Sequence, residues 1–118
     1  MRTTIQAPEG LLRDLRRVFG RVPWITRVSA FGSRAKGIAR PDSDLDLAIE
    51  IEWQPGMGVG GDVFSLWTAY EPELVDQLAG VSDIVLDLQL YVSDEETPNI
   101  HGALQHSIVV YEKTRDTP

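Results

Sequence analysis

Cysteine is absent from this chain of 118 residues, and its absence excludes both disulfide bonds and zinc sites built on thiolates. Long apolar segments are also missing. No run approaches the roughly 20 residues that a membrane-spanning helix needs, and the first six residues lack the apolar core of a signal peptide. A lack of cysteine is compatible with the reducing cytoplasm. We therefore expect a soluble, cytoplasmic protein that does not associate with membranes.

Basic residues are scarce after the first third of the chain. Residues 1–40 hold nine of the eleven Lys and Arg and only two acids, whereas residues 41–118 hold two bases and sixteen acids. The net charge of −7 argues against non-specific binding to duplex nucleic acid, which requires several cations on one surface. The basic third could face a nucleotide or an acidic partner, although we interpret Arg13, Arg16 and Arg17 as a solvated helix face.

The composition and length suit one globular domain. The hydrophobic fraction of 42% and the charged fraction of 25% are ordinary, and the length allows a modest core. We expect one domain over residues 1–118, with residues 113–118 as a frayed tail.

The periodicity of apolar residues predicts the element order α, β, β, α, β, α, β. The predicted helices cover residues 8–19, 62–78 and 97–106, and the predicted strands cover residues 25–31, 44–53, 83–92 and 108–112. Asp62 and Thr97 are predicted N-caps, and Pro72 is expected to kink or split its helix. The fold class is therefore α/β (α+β), with a small mixed sheet of about four strands flanked by helices.

The most informative feature of the chain is a pair of aspartates, Asp44 and Asp46. They lie in an alternating run of polar and apolar residues, so both are expected on one face of a strand. Their Cα atoms would then lie about 6.6–6.8 Å apart. Oxygen ligands of this kind suit Mg²⁺, which completes its shell with waters and substrate phosphates.

A Gly-Ser turn precedes this pair. Gly32 and Ser33 directly follow a predicted strand, and successive N–H groups in such a turn can bind an anion. Arg34, Lys36 and Arg40 lie nearby and can neutralise phosphate oxygens. A Gly-Ser turn alone indicates only a turn, and an acidic pair alone indicates an exposed strand face. Separated by eleven residues, the two together indicate a site for phosphate and metal.

Asp87 is the candidate for a third acid. It lies between Leu86 and Leu88 in the third predicted strand, where an unpaired carboxylate would be unfavourable to bury. Asp83 is the competing candidate, but its position beside Ser82 at the start of the strand suits a turn or capping role. We predict that Asp87 acts with Asp44 and Asp46.

These motifs resemble the signature of the DNA polymerase β-type nucleotidyltransferase superfamily, and the whole chain resembles the minimal nucleotidyltransferases within it. The resemblance rests on Gly-Ser-Arg-Ala-Lys-Gly at 32–37 and Ser-Asp-Leu-Asp-Leu-Ala at 43–48, with Leu-Asp-Leu at 86–88 and Val-Val-Tyr-Glu at 109–112. Two features depart from the family pattern. The loop over residues 54–61 is long and rich in glycine, and Gln89 or Leu90 stands where a second acid is often found.

The resemblance implies a polymerase β-like fold and transfer of a nucleoside monophosphate, with ATP as the expected donor, to a hydroxyl group. It implies two Mg²⁺ ions, held by Asp44, Asp46 and Asp87, with Asp87 also helping to deprotonate the acceptor. Gly32 and Ser33 would hold the triphosphate tail, with Arg34 and Lys36 as further phosphate ligands.

The resemblance also implies a partner protein, because the chain has no room for an acceptor-binding domain. The expected partner is a helical HEPN-type protein, with this chain as the antitoxin of a toxin–antitoxin pair. Two alternatives remain open: a module of the same fold that only masks its partner, and a small-molecule nucleotidyltransferase of the aminoglycoside type. The sequence is compatible with an oligomer. The G-x-G-x-x-G pattern at residues 56–61 is interpreted as a lid or linker rather than a dinucleotide site, because the chain is too short for that fold.

Overall fold

A four-stranded mixed sheet organises the computed structural model, which describes residues 5–58, 62–93 and 95–113. The strands are β1 (Ile25–Phe31), β2 (Leu45–Ile51), β3 (Leu86–Leu90) and β4 (Ile108–Glu112). The helices are α1 (Leu11–Gly20), α2 (Gly32–Lys36), α3 (Val63–Leu78) and α4 (Pro98–Ala103), and a 3₁₀ turn follows α4 over Leu104–His106. The predicted fold class and element order are confirmed, with the short helix α2 as an addition.

The pairing of the strands brings three chain segments to one end of the sheet. The strand order is β3-β2-β1-β4, with β1 antiparallel to both β2 and β4 and with β2 parallel to β3. Phe31 at the end of β1 pairs with Asp46 near the start of β2, and Asp46 pairs with Asp87 in β3. The strand register therefore places the Gly-Ser segment beside two of the predicted acids.

One face of the sheet is buried against α1 and α3. Three apolar residues of β2 are fully buried, namely Leu45, Leu47 and Ile49. Two acidic residues of the same strand, Asp46 and Glu50, are half-buried. This alternation follows from the period of two residues in a strand. The apolar side joins one core cluster with residues of both helices, among them Leu15, Phe19 and Leu74. Each such side chain contributes about 1.5–3 kcal/mol by leaving water, which fixes the register and leaves the acids on the opposite face.

Helix α3 confirms one local prediction and corrects another. The Asp62 carboxylate accepts the backbone N–H of Ser65 at 2.8 Å, so Asp62 is the N-cap. Of the two effects expected of Pro72, the split does not occur, because α3 continues from Val63 to Leu78, and the kink stays a prediction. Pro72 and Thr68 are both exposed, so water can bind the Thr68 carbonyl that the missing proline N–H leaves without a helical donor.

The segment that joins β3 to β4 crosses the sheet, because these are its two edge strands. His101 in α4 stacks on Tyr91 with ring centroids 6.2 Å apart, and the 3₁₀ turn contacts α2 and β1. Thr97 occupies the N-cap position of α4, as the sequence predicts, but its side chain makes no capping hydrogen bond to the helix. Its hydroxyl donates to the Ser93 carbonyl at 2.8 Å and accepts the Val92 N–H at 3.1 Å, so it fastens the preceding turn instead.

Two predicted flexible segments lie partly beyond the described residues. Residues 114–118 of the predicted tail and residues 59–61 of the glycine-rich loop are outside them. Lys113, the first residue of the predicted tail, donates its Nζ to the Pro23 carbonyl at 2.9 Å. Within the described ranges, no helix combines the length and apolar character needed to cross a membrane.

Candidate active site

Gly32 places the backbone directly against a carboxylate. It follows β1 with a φ of +75°, and a Cβ built at this position would meet the Asp46 carboxylate well inside van der Waals contact. Only glycine combines this conformation with such a close approach. The requirement for glycine in the motif therefore has a local physical cause, which is the position of Asp46.

The Gly-Ser segment is helical, whereas the sequence predicted a loop-like turn. Gly32–Lys36 form α2, which ends at Gly37 with a φ of +77° and a bond from the C-cap N–H to the Ser33 carbonyl. Five residues are too few to show helical periodicity, so the sequence pattern could not reveal this helix. The one available signal was Gly37, since glycine is typical of helix C-termini. Ser33 is half-buried and Lys36 is exposed at the end of α2.

Asp46 and Asp87 meet across β2 and β3. They are direct partners in the parallel ladder. Burial raises the pKa of Asp46 to about 6, with further contributions from the hydrogen bond to Asp87, the charge of Asp87 and the charge of Asp44. Two carboxylates in contact cannot easily both be ionised, and this repulsion is one cause of the raised pKa of Asp46. Such a pair is a favourable place for a cation.

Asp44 lies at the rim of this pair. It is exposed and directly precedes β2, and its charge acts on Asp46. In the part of the chain that the structure describes, no three His, Cys, Asp or Glu side chains are already arranged as a set of metal ligands. The structure thus brings two of the three predicted acids together and places the third beside them. The three-ligand set stays a prediction.

The geometry separates the two candidates for the third acid. Asp87 is half-buried within β3 beside Asp46, whereas Asp83 is exposed and precedes that strand. The Ser82 hydroxyl accepts the N–H of Ile84 at 3.0 Å, which is a turn interaction. The structure therefore places Asp87, and not Asp83, at the candidate site.

Arg34 requires a correction, because its guanidinium does not face a phosphate site. The residue is only 4% exposed. Its guanidinium nitrogens donate to four backbone carbonyls, those of Gln6 at 2.8 Å, Ser43 at 2.9 Å, Pro41 at 2.9 Å and Arg40 at 3.5 Å. Arg34 therefore fastens α2 to the loop that leads directly into Asp44. The predicted role as a phosphate ligand is wrong, and the structural role depends on contacts that the sequence pattern does not reveal.

The chemistry of the three acids, Asp44, Asp46 and Asp87, fits Mg²⁺. All the groups are carboxylates, the ligands that this hard cation prefers. The Asp46 and Asp87 carboxylates are close enough to repel each other, so positive charge between them is favourable. Asp44, Asp46 and Asp87 are accordingly the residues that could hold the ion.

A polar cavity of about 380 Å³ lies at the other end of the sheet from these acids. Glu50 in its wall is four residues beyond Asp46, or about 13 Å along the strand. Burial raises the pKa of Glu50, while Arg27, 3.7 Å away, opposes that change. Arg27 also contacts Glu112 at 3.1 Å. These charges are paired with one another, and the cavity is separate from the candidate site.

Comparisons with known proteins agree with the geometry. The family model described as "Polymerase beta, Nucleotidyltransferase" matches residues 13–116. A comparison with curated proteins gives no match. Among solved structures, the chain is similar to one described as "Crystal structure of the toxin-antitoxin with AMP-PNP", with 19% identity and a TM-score of 0.56 over 87% of this chain and 74% of that chain. At this identity the likeness shows the fold alone.

Proposed function

Because the chain belongs to the polymerase β nucleotidyltransferase family, we propose that it transfers AMP from ATP to a hydroxyl group of a partner macromolecule. The family makes nucleotidyl transfer the reaction class of this chain. The observation that carries the assignment of the site is the meeting of Gly32, Asp46 and Asp87 at one end of the sheet. A backbone segment and two carboxylates at one point are what a triphosphate with its metal requires.

The proposed chemistry is an in-line displacement at the α-phosphorus. Asp44, Asp46 and Asp87 hold Mg²⁺, which when bound neutralises phosphate charge and stabilises the attacking and leaving oxygens. The oxygen of the acceptor hydroxyl bonds to the α-phosphorus, and Asp87 accepts the proton that this hydroxyl loses. The bond from that phosphorus to the bridging oxygen breaks, and pyrophosphate leaves. Ser33 and the first N–H groups of α2 bind the triphosphate tail, with Lys36 as a further cation.

The proposed acceptor lies on another protein. The chain folds around one small sheet, and the described segments form no separate acceptor domain. The similar solved structure is described as a toxin–antitoxin, which supports a protein partner. That this chain is the antitoxin and that its partner is of the HEPN type are parts of the proposal. The chain would then be a minimal nucleotidyltransferase that modifies its partner.

A binding module of the same fold is the second candidate. The observation in its favour is the exposed, peripheral position of Asp44, which leaves only Asp46 and Asp87 in contact. Such a module would bind its partner without transferring a nucleotide.

Transfer of label from ATP tests the proposal. The purified chain is incubated with α-labelled ATP, Mg²⁺ and the protein encoded beside it, and labelled protein and released pyrophosphate are measured. We expect labelling by the wild type and by Asp83→Asn, an exposed aspartate outside the site, and none by Asp44→Asn or Asp46→Asn. Full activity of Asp46→Asn rejects the assigned site. Tight partner binding without any labelling favours the binding module.

A further inference from the structure

Gln89 contacts one of the three acids directly. Its Nε2 donates a hydrogen bond to Oδ1 of Asp87 at 3.0 Å. The two residues are two positions apart in β3, so their side chains project from the same face of the sheet. Gln89 is half-buried, and its neighbour in β2 is Ala48, which is 1% exposed. The amide therefore reaches along the strand to the acid and not across to β2.

We propose that Gln89 is a positioning residue that holds the carboxylate of Asp87 in the orientation needed to share a divalent cation with Asp46. This inference rests on the proposed function, because it assigns a role within the same site. The Asp87 carboxylate has a partner on two sides, Gln89 along β3 and Asp46 across to β2. A carboxylate bound at one oxygen loses rotational freedom, and its second oxygen keeps a defined direction.

The chemistry of the amide suits this role better than that of an acid. Asp46 and Asp87 are direct partners across β2 and β3, and Asp44 directly precedes β2, so three carboxylates already concentrate negative charge at this end of the sheet. A neutral amide supplies an N–H donor without adding a fourth charge. Removal of a residue that hydrogen-bonds a metal-ligating carboxylate typically lowers metal affinity or activity by about 10–100-fold.

The test measures metal binding independently of catalysis. Mn²⁺ serves as the probe, and its dissociation constant is measured by electron paramagnetic resonance of the full chain. Gln89→Met keeps the length of the side chain and removes the donor. Gln77→Met, at an exposed position of α3, is the matched control. We expect Gln89→Met to bind Mn²⁺ about 10–100-fold more weakly than the wild type, and Gln77→Met to bind it equally well.

A double-mutant cycle separates positioning from general packing. If Gln89 acts through Asp87, then Gln89→Met has no further effect on Mn²⁺ affinity in an Asp87→Asn background. In the labelling assay we expect Gln89→Met to lower kcat more than it raises the KM for ATP. The unfolding temperature in EDTA should match that of the wild type, since an amide hydrogen bond at a half-buried site contributes little to stability.

The outcomes distinguish this inference from the proposed function. The role of Gln89 is overturned if Gln89→Met binds Mn²⁺ as tightly as the wild type. It is also overturned if the substitution weakens Mn²⁺ binding equally in the wild-type and Asp87→Asn backgrounds. Neither result bears on the proposed nucleotide transfer. Mn²⁺ binding by the wild type without any nucleotide transfer overturns the proposed function, while the cycle still decides the role of Gln89. A wild type that does not bind Mn²⁺ overturns both.

Discussion

Single residues in this site act through close approach and burial rather than through their type alone. Gly32 and Asp46 are fourteen residues apart in the sequence, yet their atoms are in contact distance because Phe31 pairs with Asp46. The motif identified both residues from the sequence. The role of Arg34 could not be predicted, because its acceptors are backbone carbonyls, those of Gln6, Arg40, Pro41 and Ser43, and a pattern of side chains carries no information on them.

Gly32→Ala should abolish nucleotide transfer. The new methyl group would displace the Asp46 carboxylate, and alanine at a φ of +75° adds about 1–2 kcal/mol of backbone strain. Gly80→Ala is the matched control, because Gly80 has a φ of +81° with nothing within 4 Å of an added Cβ. Urea unfolding should show destabilisation in both variants, larger in Gly32→Ala because of the collision with Asp46, and the labelling assay should show loss of transfer in Gly32→Ala alone. Equal activity of the two variants would show that Gly32 does not make room for Asp46.

Asp46 makes the metal-free protein less stable as the pH rises. Its pKa is about 6 in the folded state against 3.8 for the ordinary group, so the folded state holds the proton more tightly. This contribution to stability is complete below about pH 4 and is lost as the pH rises through 6. The full shift corresponds to about 3 kcal/mol, and solvent screening at a half-buried carboxylate reduces it to about 1 kcal/mol.

Asp46→Asn should therefore gain stability relative to the wild type at pH 7.5 and not at pH 4. Urea unfolding in EDTA at the two pH values measures the difference, with Asp83→Asn as the control for the loss of an exposed charge. The same gain at both pH values would contradict the raised pKa of Asp46.

The secondary structure elements were predicted best where the pattern is local. Strands β1 and β4 have the predicted bounds, and α3 starts at the predicted cap. Strands β2 and β3 are shorter than predicted, with Trp53 and Asp83 exposed beyond their ends. Strand length depends on which neighbour is available to pair, and the apolar pattern alone cannot define it.

Arg34 links α2 to the loop before β2, so its replacement should weaken the attachment of that loop to the helix. Arg34→Lys keeps the charge but offers one nitrogen in place of three, and it cannot reach the carbonyls of Gln6, Pro41 and Ser43 together. We expect a loss of about 2–4 kcal/mol in the free energy of unfolding, together with weaker transfer because Asp44 is less well placed.

Arg13→Lys is the matched control, since the Arg13 side chain is 73% exposed on α1. It should leave both the free energy of unfolding and nucleotide transfer unchanged. Urea unfolding and the labelling assay measure them. Wild-type stability of Arg34→Lys, combined with loss of ATP binding, would support the phosphate role predicted from the sequence.

The molecule as a whole was predictable in its class but not in its arrangement. The order of helices and strands follows from local periodicity, and the mixed sheet follows from that order. The parallel pairing of β2 with β3 brings Asp87 beside Asp46, and that pairing depends on contacts between residues about forty positions apart. The local pattern could therefore not distinguish Asp87 from Asp83 by position, whereas the fold brings Asp87 beside Asp46.

Binding of metal and nucleotide should stabilise the whole fold, because the proposed ligands come from segments that are adjacent only when the chain is folded. A non-hydrolysable ATP analogue with Mg²⁺ at about 100 times its dissociation constant should add about 2.7 kcal/mol to the free energy of unfolding. For a domain of this size the unfolding temperature should rise by about 10 °C. Differential scanning fluorimetry should show this rise in the wild type and in Asp83→Asn. It should be absent from Asp46→Asn and from the wild type in EDTA. An equal rise in Asp46→Asn would place the nucleotide elsewhere on the molecule, because removal of the central carboxylate should eliminate the metal on which triphosphate binding depends.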